Sequence, residues 1–121
     1  MYTNAGLTPT PVIVRAARGA LEWLSEPANL LVGVEPDTAY VEGRVTLEPG
    51  DKLVVCTDGI TDSINAHEDR FTWERLSALL AENTALPAEA LRDRIIGAVT
   101  GHTGAAAQYD DQTLLIMEVL R

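Results

Sequence analysis

The sequence holds one cysteine, one phenylalanine and only 5% aromatic residues, and its nine basic residues stand against eighteen acidic ones. The lone Cys56 excludes an intrachain disulfide. A formal net charge of −9 repels phosphate backbones and anionic lipid surfaces, which argues against nucleic acid and membranes as partners. Apolar runs such as PVIV before Arg15 and LVVC before Thr57 are far shorter than the roughly 20 residues that a spanning helix requires. A Gly-rich phosphate loop, a Cys/His zinc set and a Ser-His-Asp arrangement are all missing, which removes the commonest motif-borne chemistries. Internal repeats, charge blocks and low-complexity tracts are missing too, and only GHTGAAAQ (101–108) reads as a flexible loop. With a single thiol and no signal peptide at the start, the expected compartment is the cytoplasm.

What is present is ordinary globular material: 121 residues, 46% hydrophobic and 22% charged, read as one domain over 1–121 without a linker. PVIVRA (11–16) and ALEWL (20–24) flank Gly19, which can supply the positive φ of a tight hairpin. AYVEGRVTL (39–47) alternates with a period of two, the pattern of a half-buried strand. EPGD (48–51) is a turn that delivers KLVVC (52–56), apolar enough for a central strand. Past Thr57-Asp58-Gly59 the period becomes helical. FTWERLSALLAE (71–82) repeats Phe71, Leu76, Leu79 and Leu80 on one face behind Thr72 as N-cap. A second helix is predicted from about Pro87 until Gly101 stops it, and QTLLIMEVL (112–120) reads as a last buried strand. A β-meander, two helices and a strand suit an α+β sandwich better than βαβ units.

Two acidic points sit where such folds place chemistry. Asp58 follows directly on strand 52–56, and Asp110 and Asp111 lie just before strand 112–120. If those strands are antiparallel neighbours, the carboxylates converge at one sheet edge, where clustered oxygen ligands suit a hard cation such as Mg²⁺ or Mn²⁺. Gly59 lets the chain turn sharply, so that Asp58 points out at the rim. The plain alternative is a turn aspartate and a solvated loop end.

NAG (4–6), the hairpin, LLVGVEPDTAYVEGRVTLEPGDKLVVCTDGITDS (30–63), the Phe71 helix and YDDQTLLIMEV (109–119) resemble, in order and spacing, the carboxy-terminal half of metal-dependent (PPM-type) protein Ser/Thr phosphatases of the stage II sporulation protein E type. The resemblance spans roughly residues 3 to 119, and LEPGD leading into TDGITD with a late DDQT is its most specific part. It implies a share of an αββα sandwich carrying two Mn²⁺ or Mg²⁺ ions, which activate water for attack on phosphoserine or phosphothreonine. Carried onto this chain, Asp58 and Asp110 match the family's metal ligands. Asp111 would support them, or exchange roles with Asp110, and Asp62, Thr57 and Thr113 are candidates for orienting the ligand carboxylates. The implied substrate is a phosphorylated bacterial regulator of the anti-sigma factor antagonist type.

The departures are as informative. The family's amino-terminal half supplies an Asp-Gly motif that bridges both metals, and nothing here matches it, so the chain is expected to be incomplete as a catalyst. NAG continues with Leu7, Thr8 and Pro9 where the family usually has histidine and prolines, and Cys56 stands where an aromatic residue is common. Cys56 is read as a small core residue, Trp23 and Trp73 as core rings, and His67 and His102 as residues outside the site. Two other functions compete: a non-catalytic module that pairs with another chain, and an unrelated acidic metal-binding domain. Orphaned strand edges at 39–47 and 112–120 lead to the expectation of a homo-oligomer, or of pairing with a complementary chain.

Overall fold

The computed structural model describes residues 1–120. Four strands form one antiparallel sheet in the order β2-β1-β3-β4: β1 (Val12–Arg15), β2 (Ala20–Trp23), β3 (Lys52–Cys56) and β4 (Leu114–Glu118). β1 and β2 form the expected hairpin, with Gly19 at φ 61°. β3 pairs with β1 on one side and β4 on the other, and its last residue, Cys56, lies opposite the first residue of β4, Leu114. Three helices follow β3: α1 (Asp58–Thr61), α2 (Trp73–Glu82) and α3 (Ala88–Thr103).

Strand alternation sends Val12, Val14, Val54 and Cys56 to the helix side, where they meet Leu76 and Leu80 of α2 and Leu91, Ile95 and Val99 of α3 in one core. The helical residues recur at three- and four-residue spacing, which is why these segments bury a stripe. The opposite sheet face carries Ile13, Leu53, Val55, Leu115 and Met117, and its covering thins toward the edge: Ile13 is buried, whereas Leu115 and Met117 are 55% and 46% exposed.

Several expectations fail for physical reasons. Segment 39–47 is not a strand; its one ladder contact is the reciprocal pair of hydrogen bonds between Gly43 and Tyr2. Its alternation marks two faces, but a ladder also needs a neighbouring backbone. Here side chains substitute: Asn29 accepts from Val41 N–H, while Thr3 and Asn29 donate to its carbonyl. Thr72 precedes α2 but makes no side-chain cap, because its φ of 73° turns it out of capping geometry. Gly101 does not stop α3. A glycine inside a helix costs only about 1 kcal/mol, and the chain leaves the helix at Gly104, whose φ is 57°. Trp73 is 53% exposed rather than core, with its ring edge-on to Trp23 at 6.0 Å.

Candidate functional site

The end of β3 and the lead-in to β4 meet at one edge of the sheet, as antiparallel pairing requires. Thr57 N–H donates to the Thr113 carbonyl at 3.0 Å, and Thr113 N–H donates to Thr57 Oγ1 at 3.1 Å. Thr57 Oγ1 in turn donates to the Asp111 carbonyl at 3.5 Å. Both threonines thus act by tying the two strand ends together.

Gly59 has a different role from the one its sequence context suggests. It is buried within α1 rather than in an open turn, and a Cβ there would stand 1.9 Å from the Asp111 carbonyl oxygen. Only glycine lets α1 lie this close to the 110–113 segment. Beneath it, Ser63 Oγ donates to the Gly59 carbonyl at 2.7 Å and accepts from Gln112 Nε2 at 2.9 Å. These two residues join the DGITDS and DDQT segments through side chains. They were missed as site residues, although both lie inside the motifs.

Asp58, Asp110 and Asp111 are all exposed at this pole. Asp110 Oδ1 accepts from Asp111 N–H at 2.7 Å, which orients its carboxylate at the mouth of the loop. Asp62, half-buried one turn beyond Asp58, faces Arg70 at 3.5 Å, and its own N–H donates to the Asp58 carbonyl. Carboxylate oxygens match a hard divalent cation in kind, but not in number. Among the described residues no group of three His, Cys, Asp or Glu side chains converges as a metal cage.

Neither histidine belongs to it. His67 is exposed in its loop. His102 contacts the Asp69 carbonyl through Nε2 at 2.8 Å and Arg75 through Nδ1 at 3.1 Å, so both ring nitrogens latch α3 to α2 and the preceding loop. Cys56 is 5% exposed, and burial pushes its thiol up to about 11, which leaves it protonated and inert at neutral pH.

The sequence profile of the Stage II sporulation protein E (SpoIIE) family matches residues 1–120. The chain belongs to the SpoIIE family. A curated relative, Protein IcfG of Synechocystis sp., is 30% identical over 114 residues, which are 94% of this chain and 17% of that protein. A solved structure, the SiaA-PP2C domain of Pseudomonas aeruginosa, superposes with a TM-score of 0.77 at 22% identity, covering 95% of this chain and 44% of that one. This SpoIIE-family chain therefore has a partial PP2C-like fold, α+β in class, and spans less than half the length of either relative. No helix among its described residues is long and apolar enough to cross a membrane.

Proposed function

We propose that this chain is the carboxy-terminal, metal-binding portion of a Mn²⁺- or Mg²⁺-dependent protein serine/threonine phosphatase, acting on a phosphorylated bacterial signalling regulator of the anti-sigma factor antagonist type. The observation that carries the reading is the β3–β4 register. Cys56 opposite Leu114 sets Asp58 and the Asp110-Asp111 pair at one sheet edge, within a chain of SpoIIE membership. Asp58 with Asp110 or Asp111 would supply carboxylate oxygens to a cation. Such an ion stabilises charge on phosphoryl oxygens and lowers the pKa of water. Thr57, Thr113, Gly59, Ser63 and Gln112 hold the two strand ends together.

The test is calorimetry with Mn²⁺. The isolated chain should bind weakly, and Asp58→Asn should bind more weakly still, because one charged oxygen ligand is lost. Tight binding of two ions by the unaltered chain would refute the partial-site reading. Hydrolysis of p-nitrophenyl phosphate should be absent until a complementary half-domain is added.

A second reading, a non-catalytic module that pairs with another chain or with itself, is favoured by Leu115 and Met117 lying open on the edge strand. The two separate on mixing with the complementary half: Mn²⁺-dependent turnover supports the phosphatase, and binding without turnover supports the module.

A further inference from the structure

Beside the carboxylate pole lies a cleft of about 380 Å³, walled by Pro9, Asp58, Asp62, Arg70, Trp73 and Glu74 among others. Its titratable groups are three acids and one base. A phosphorylated side chain entering here meets repulsion from Asp58, Asp62 and Glu74, and apart from a cation at Asp58 the group that attracts it is the guanidinium of Arg70. We propose that Arg70 is a phosphate-reading residue, which grips phosphoryl oxygens of the substrate in the cleft that Asp58 also lines. The assignment rests on the phosphatase reading above.

Three features fit Arg70 for this. Its backbone is rigidly seated: Arg70 bridges Ile64, Phe71 N–H donates to the Ser63 carbonyl at 2.8 Å, and Thr72 N–H donates to the Thr61 carbonyl at 2.8 Å. The carbonyl of Asp69, one residue earlier, is held by His102. The loop is thus zipped onto the end of α1 and latched to α3. Next, Arg70 lines the cleft and its guanidinium is not saturated. Its partner Asp62 takes one contact at 3.5 Å, between side chains 64% and 35% exposed, a weak pair that leaves most of its five N–H donors free. Finally, the fork geometry of arginine matches two phosphoryl oxygens at once, and a dianion outcompetes a loosely held carboxylate.

The full chain, with Mn²⁺ at millimolar concentration, would be titrated with a phosphoserine peptide and with its serine counterpart, read through tryptophan emission, since Trp73 lines the cleft. The preference for the phosphorylated peptide should fall about tenfold or more in Arg70→Ala, the scale of one charge-assisted hydrogen bond. Arg70→Lys should keep part of it, as charge without the fork. Because the readout is a ratio of two peptides, partial unfolding cancels. An unchanged preference in Arg70→Ala, or no preference in the unaltered chain, would overturn the assignment. A parallel Mn²⁺ titration of Asp58→Asn keeps the two ideas apart. If that variant loses Mn²⁺ binding while Arg70→Ala keeps its peptide preference, the metal pole stands and Arg70 has no part in it.

Discussion

Asp51 closes the LEPGD turn with a carboxylate only 1% exposed. Burial alone would raise its pKa. The N–H of Glu48, the Arg15 guanidinium at 2.7 Å and the N–H of Ala16 outweigh burial and hold the carboxyl below its ordinary value. Arg15 also grips Glu22 and the Thr46 carbonyl, so one guanidinium ties β1, β2 and the approach to β3 together. The most specific motif of the sequence therefore contains a structural clamp as well as a route to Asp58. A carboxyl depressed in the folded state contributes stability that is present above its unfolded pKa and lost as pH falls through the folded one. Asp51→Ala should cost about 1–3 kcal/mol at neutral pH, by leaving the Glu48 and Ala16 N–H groups without their acceptor and removing one of the partners of Arg15. In urea melts the gap between variant and parent should narrow once pH drops below about 4. A gap that stays constant down to pH 2 would contradict the clamp.

At the scale of elements, the site depends on α1 lying against the lead-in to β4. Gly59→Ala forces a methyl group into the Asp111 carbonyl, and overpacking of this kind costs about 1–3 kcal/mol. The strain should be local. Amide exchange at Thr57 and Thr113, whose N–H groups bond across the pole, should speed up, while Val14 and Val54 in the sheet keep their protection. Uniform loss of protection would mean that the pole and the sheet open as one unit. Asp58→Asn, by contrast, removes an exposed charge and should leave exchange unchanged while weakening Mn²⁺ binding.

Across the whole molecule, the sheet has one face sealed by α2 and α3 and one face that opens toward β4. Leu53 and Val55 are half-buried there, and Leu115 and Met117 are open beside an edge strand whose outer backbone groups have no strand partner among the described residues. Exposed apolar side chains at an unpaired edge favour association, while a net charge of −9 opposes it. Light scattering should therefore give a mass above the monomer that grows with added salt, as screening weakens the repulsion. The double variant Leu115→Lys, Met117→Lys should return it to the monomer. A parent chain that stays monomeric at high micromolar concentration in high salt would show that this face needs no cover.

The hairpin, the two helix stripes and the apolar run of β3 were legible in the sequence, because each is written in spacing along the chain, whereas the strand expected at 39–47 did not form and the short α1 went unread. Phe71 and the stripe over Leu76, Leu79 and Leu80 mark α2 whatever its neighbours do, and the apolar run 52–56 marks a strand buried in the sheet. What lay beyond reach depends on contacts between residues far apart in sequence. The alternation in 39–47 could not disclose that no strand would lie beside it, and the glycine at 59 could not disclose that its missing Cβ makes room for a carbonyl 52 residues later. Nothing in the spacing singles out Arg70, which meets Asp62 only when the loop zips onto α1. Periodicity is a property of one segment, whereas a ladder, a close approach and a cleft are each made by two, and only the folded chain brings the second one in.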